Sequence, residues 1–102
     1  MAIVAVSVVP LGTGTTSVSS FVAEAEKTLR KDGRVSYQLG PMFTTLQGDL
    51  GDCLDVVRKM HESLFGAGAL RVSTSVKIDD RRDRDTTMEG KVRSVEEKLA
   101  QP

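Results

Sequence analysis

At 102 residues the chain suits one domain with a single modest core. Fourteen basic residues cancel fourteen acidic ones, so the basic surplus of a nucleic-acid binder is missing; one Tyr, three Phe and no Trp leave few platforms for stacked bases. The lone Cys53 excludes an internal disulfide and fits a reducing, cytoplasmic setting, and no apolar run approaches the length of a membrane span.

The chain opens on MAIVAVSVVPLG, apolar but without a positive flank and broken by Ser7 and Pro10, so it reads as a buried strand rather than a signal peptide. Val4, Val6 and Val8 alternate within residues 2–10, and apolar groups on both faces predict a central strand. The turn GTGTTSVSS follows, with Ser17 as the expected helix N-cap. Val18, Phe21, Val22, Ala25 and Leu29 then recur at helical spacing, and Lys31-Asp32-Gly33 ends the helix.

Val35, Tyr37 and Leu39 alternate with polar neighbours and predict a second strand. Gly40-Pro41 turns the chain into a third strand over 42–47, so the two strands read as a hairpin. Asp49 or Gly51 opens a second helix with the stripe Cys53, Val57, Met60 and Leu64, and GAG at 66–68 stops it. Leu70, Val72, Thr74, Val76 and Ile78 give the clearest alternation in the chain, a fourth strand. Thr86-Thr87-Met88-Glu89 matches a capping box with Thr86 at the cap and Glu89 three residues on; Met88, Val92, Val95 and Leu99 form the stripe of a C-terminal helix at about 87–100.

The order β-α-β-β-α-β-α predicts an α+β, ferredoxin-like βαββαβ sandwich over residues 1–102, with a four-stranded antiparallel sheet and one added C-terminal helix. Two helices on one face leave the other open. Periodicity gives that open face Ser7, Ser36, Gln38, Arg71, Ser73, Ser75 and Lys77 together with Ile3, Ala5 and Val9. Such a mixed face, on so small a domain, predicts self-association.

Few residues carry a chemical signature. In KIDDRRDRD the charges alternate, with an Asp beside every Arg, which fits neither a phosphate site nor a calcium loop; it reads as a charged connection closed by internal or intersubunit ion pairs. GTGTTS lacks both the P-loop ending and GxGxxG, so it reads as an ordinary capping turn. His61 stands without a Cys or carboxylate cluster, Cys53 sits on an apolar stripe, and Met42 and Met60 read as core fillers; no metal site is expected. No Ser is paired locally with His and Asp and no GxSxG occurs, so no catalytic residue and no enzyme activity are predicted.

Three stretches in order, SVVPLGTGTTSVS (7–19), GPMFTTLQGD (40–49) and KIDDRRDRDTTMEGKVRSVEEKL (77–99), with KMHE at 59–62, resemble the small thiamine-binding proteins, formerly a domain of unknown function and related to tandem hydroxymethylpyrimidine-binding proteins. The resemblance implies a ferredoxin-like cytoplasmic subunit, sheet-mediated homodimers and often homotetramers, no cofactor, and thiamine or its hydroxymethylpyrimidine moiety as ligand. The partners expected are therefore self and a small molecule, with nucleic acid and membrane set aside on charge, aromatic content and apolar run length. Many relatives have Glu where this chain has Gln47. Thiamine joins an aminopyrimidine to a cationic thiazolium, which calls for hydroxyl or backbone partners, an aromatic or thioether wall and negative potential. On the shared segments the candidates are Thr15, Ser17 and Ser19 at the first loop, Tyr37, Met42, Phe43, Thr44 and Thr45 at the hairpin, and Asp49 as the nearest carboxylate. The alternative reading is a structural or regulatory oligomer that acts through a protein partner.

Overall fold

The computed structural model describes every residue from Met1 to Pro102. Its elements are β1 (Ala2–Pro10), α1 (Ser19–Asp32), β2 (Ser36–Leu39), β3 (Thr44–Gly48), α2 (Leu50–Gly66), β4 (Val72–Asp79) and α3 (Met88–Leu99). The strands lie in the order β2-β3-β1-β4, with every neighbouring pair antiparallel. This is the ferredoxin-like α+β arrangement that the order of elements predicts.

β1 occupies the middle of the sheet because its even residues meet the helices while its odd residues form part of the opposite face. Val4, Val6 and Val8 are buried against Ala25 and Leu29 of α1 and against Cys53, Val56, Val57, Met60 and Leu64 of α2. Leu46 of β3 joins them, fully buried. The Ile3↔Gln47 and Ala5↔Thr45 pairs place Gln47 and Thr45 on the open face beside Ile3 and Ala5. Ser36, Gln38, Ser73, Ser75 and Lys77 pair onto the same face, as expected. Arg71 precedes β4, and its carbonyl accepts from the Leu11 N–H across the strand ends.

Four local expectations are revised. The α1 cap is Val18, with no side-chain bond, rather than Ser17. The loop hydroxyls are spent locally instead: Thr13 Oγ1 donates to the Thr15 carbonyl, and Thr15 Oγ1 accepts from the Ser17 N–H. The α3 cap is Thr87, not Thr86, its hydroxyl accepting from Gly90 N–H at 2.9 Å. Shifting the cap by one residue frees the Met88 N–H, which donates to Gln47 Oε1 at 2.7 Å and anchors α3 on the open face. The third strand starts at Thr44, not residue 42, because the Gly40 N–H donates to the Phe43 carbonyl and residues 40–43 form the hairpin tip. A side chain at position 40 would meet that same carbonyl at 2.6 Å, so the turn requires glycine. Lastly, Leu70 lies outside the fourth strand and is almost fully exposed. The other ends follow the sequence: Asp49 caps α2 by accepting from Asp52 N–H, and Gly33 closes α1 at φ +74°.

The two helices are also tied by charge. Asp32, its side chain only 4 % exposed, accepts from Arg34 Nε at 2.7 Å and from Lys59 Nζ at 2.9 Å. Arg34 continues to Asp55, which Arg58 also reaches at 2.8 Å. The hydrogen bond from Arg34 holds the Asp32 carboxyl far below its ordinary value, and Arg34 also leads in drawing Asp55 down to about 2. Groups with lowered folded values stabilise the fold fully above the ordinary carboxylate value of 3.8, and that contribution is lost as pH falls through the folded value. The urea midpoint should therefore drop between about pH 4 and pH 2, and more steeply in the wild type than in Arg34→Gln. Parallel pH profiles for the two proteins would contradict this account of the network.

Candidate functional site

The polar group hardest to reconcile with a plain core is Glu26. It projects from α1 between Val22 and Leu29, one turn to either side, so helical periodicity carries it onto the buried stripe. It is 7 % exposed. Thr44 Oγ1, buried below it on β3, donates to Glu26 Oε1. The second carboxylate oxygen, Oε2, is buried and has no hydrogen-bond partner. Burying an unpaired polar atom costs about 1–3 kcal/mol, more for a charged one. An orphan of this kind calls for a specific explanation.

Glu26 lines two adjoining spaces. The inner one is a narrow cavity between α1 and the hairpin tip, walled by Val6, Val8, Val22, Ala25 and Met60 and roofed by residues 39–44. The outer one is an open groove along α1, formed by Ser19, Val22, Ala23, Glu26, Lys27 and Arg30 with Leu39 opposite. Met42, 78 % exposed, and the half-buried Phe43 stand at the mouth, a thioether and an aromatic ring with no core to pack into. The site therefore offers a carboxylate oxygen, a hydroxyl, apolar walls and an aromatic edge. That set suits a flat heterocycle carrying N–H donors or positive charge.

The nine residues proposed from sequence do not all meet here. Met42, Phe43 and Thr44 line the inner cavity and Ser19 the outer groove. Tyr37, half-exposed, lies on the helix-side face of β2 opposite Leu46 but is not part of either wall. Thr45 points to the open face with Ala5. Thr15 belongs to a separate surface hollow of the 10–16 loop, and Ser17 is tied into the same loop by its N–H. Asp49 caps α2 and borders a hollow with Met1, Asp80, Arg81, Arg82, Arg84 and Asp85. Beside that hollow the alternating charges pair among themselves: Arg81 Nη2 donates to Asp83 at 2.8 Å, and Arg82 donates to Asp80 Oδ2 from Nη2 at 2.8 Å and from Nε at 3.2 Å. These are the internal ion pairs foreseen for the run, and they are exposed, so each contributes little. His61 Nδ1 lies 2.6 Å from Thr74 Oγ1 and its ring meets Phe65 edge-on, joining α2 to β4. Cys53 is fully buried, and burial pushes its thiol up.

The profile of a family described as thiamine-binding protein matches residues 4–96. The chain belongs to the thiamine-binding protein family. The UPF0045 protein YqgV of Bacillus subtilis is 45 % identical over 102 residues, covering 97 % of this chain and 98 % of its own. A UPF0045 protein of Staphylococcus xylosus is 46 % identical over 97 % and 95 % of the two chains. Among solved structures, protein MJ1052 of Methanocaldococcus jannaschii superposes with a TM-score of 0.85 at 33 % identity, covering 94 % of this chain and 96 % of that one. A Thermotoga maritima protein, proposed to act in thiamine biosynthesis or salvage, shares the fold at a TM-score of 0.78 and 24 % identity, over 92 % and 97 % of the chains.

In this member of the thiamine-binding family, the Gln47 amide is engaged on the opposite face from Glu26, where it holds the start of α3. Gln47 lines neither space beside Glu26. Glu26 is not among the residues proposed from sequence. The available signal was its spacing, four residues after Val22 and three before Leu29.

Two substitutions separate a ligand-binding carboxylate from a structural one. Glu26→Gln keeps an acceptor for Thr44 and removes the buried charge, so the free protein should gain about 1 kcal/mol in urea unfolding. Thr44→Val strands both carboxylate oxygens and should lose about 1–3 kcal/mol. A loss in both variants would mark Glu26 as scaffolding.

Proposed function

We propose that the protein binds thiamine, or its hydroxymethylpyrimidine moiety, without transforming it, and that the ring lies between α1 and the 40–43 hairpin tip. The observation that carries this reading is the orphaned Glu26 Oε2 at the junction of the two spaces. An aminopyrimidine N–H would supply the missing donor, and a thiazolium would lie within the same negative potential, beside Met42 and Phe43. The family description and the fold shared with the Thermotoga maritima protein support the same ligand class. No reacting group is assigned, because the site holds a carboxylate and a hydroxyl bonded to each other rather than a nucleophile with a free base. None of the helices is long and apolar enough to cross a membrane.

Saturating thiamine, at about a hundred times its dissociation constant, should stabilise the fold by roughly 2.7 kcal/mol and raise Tm by roughly 10–20 °C. In calorimetry Glu26→Gln should weaken the affinity about 10- to 100-fold, the worth of a charge-assisted hydrogen bond. Absence of any shift with thiamine, its phosphates or hydroxymethylpyrimidine would favour the second reading, an oligomer serving a protein partner.

We also infer a homo-oligomer, dimer or tetramer. Of the α3 stripe only Met88 is buried in the single subunit, while Val92, Val95 and Leu99 are exposed, Leu99 at 77 %. Val9 is likewise exposed on the open sheet face. A sister copy would cover both. Light scattering should give a mass of at least twice 11.0 kDa, falling to the monomer in Val95→Glu; a wild-type monomer at high concentration would refute the assembly.

A further inference from the structure

The outer groove carries more than the carboxylate requires. One face of α1 presents Ser19, Glu26, Lys27 and Arg30 along a space of about 350 Å³, within the range of small-molecule sites. Arg30 follows Glu26 by four residues, the spacing at which a Glu and an Arg on one helix ordinarily pair. They are not paired, and Arg30 has no acidic partner anywhere in the chain. Lys27 reaches only Glu24, at 3.4 Å and in solvent, an interaction of little worth. Arg34, Arg58, Arg81 and Arg82 engage carboxylates, while Arg30, like Arg71, Arg84 and Arg93, does not. The groove thus has a buried carboxylate oxygen without a donor, with Lys27 next to it in the chain and Arg30 one helical turn further along, both available to an anion. A ligand that satisfies both is dipolar, with N–H or positive charge at one end and a multiply charged anion close by.

We propose that the groove takes a phosphate monoester of an amino-heterocycle, its ring against Glu26 and Thr44 and its phosphate on Lys27 and Arg30. This rests on the reading of the Glu26 site given above and adds the ligand's charged end. The phosphate oxygens are acceptors only, so they are excluded from the Glu26 end and directed to the cations, which fixes the ligand's orientation. Arg30 offers a planar fork of donors and Lys27 a point charge, the two modes in which proteins hold phosphate.

The experiment is calorimetry at low ionic strength with thiamine, thiamine monophosphate, hydroxymethylpyrimidine phosphate and inorganic phosphate. Each is titrated into the wild type and into the double variant Lys27→Gln/Arg30→Gln, which alters only exposed side chains. At least one phosphate ester should bind about tenfold tighter than thiamine, the factor that two solvent-exposed charge contacts supply together. The double variant should bring the ester-to-thiamine affinity ratio down to about one or below, and 0.5 M salt should shrink that ratio in the wild type. Inorganic phosphate alone should bind far more weakly than the ester. If thiamine binds and neither ester binds tighter, the phosphate assignment is overturned and the Glu26 site stands. A preference for the ester that survives in the double variant overturns the roles of Lys27 and Arg30. If none of the organic compounds binds, the reading of the site fails and this inference with it.

Discussion

The register between β1 and β3 sets everything that follows. Val6 lies opposite Thr44, so when the Val4-Val6-Val8 row turns toward the helices, Thr44 must turn with it. A slip of one residue would send Thr44 to the open face and replace it with Thr45 or Phe43. The buried hydroxyl would then be lost, and with it the one hydrogen bond that Glu26 makes within the protein. The hydrophobic alternation of β1 thus does two things at once: it builds the core and positions the polar atom around which the site is organised.

Glu26 is expensive to keep where it is. One oxygen is satisfied by Thr44, and the other is desolvated with no donor in reach. A leucine at this point of the α1 stripe would bury more apolar surface at no polar cost. A chain whose core otherwise follows the hydrophobic pattern closely departs from it at this one carboxylate, and departures of that kind concentrate where a protein meets its ligand. The surroundings agree: the hairpin tip nearby leaves Met42 and Phe43 in solvent rather than packing them.

The fold was legible because each element carried its own period and its own stops. The double-faced apolar strand announced the sheet's centre, Gly33 and Asp49 marked helix ends, and the β-α-β-β-α-β order left few topologies. The cap at Thr86 differs from the observed Thr87 because adjacent hydroxyls are interchangeable in sequence, and the one at Ser17 because α1 begins from Val18, which offers no side-chain cap, while the Ser17 N–H is held by Thr15. The site was legible only in part. Met42, Phe43, Thr44 and Ser19 were reachable from shared segments and side-chain chemistry, whereas Glu26 depends on tertiary contact: its partner is 18 residues away, on another element. The Asp32–Arg34–Asp55 network escaped notice for the same reason, since its longest step spans residues far apart in the chain.

The two faces of the sheet divide the work. On the helix side, a closed core stops at Glu26 and opens into a groove. On the other side, Gln47 fixes the start of α3 by accepting from the Met88 N–H, and the rest of that helix leaves the subunit with its apolar stripe uncovered. Because Gln47 and Thr44 lie three residues apart on the same strand, their side chains point to opposite faces, and β3 links the Glu26 site to the anchor of α3. A carboxylate at position 47 would also accept from a helix N-terminus, with added favour from the helix dipole. The neutral amide is therefore sufficient for anchoring α3, and the negative potential for the proposed cationic ring would come from Glu26 on the other face.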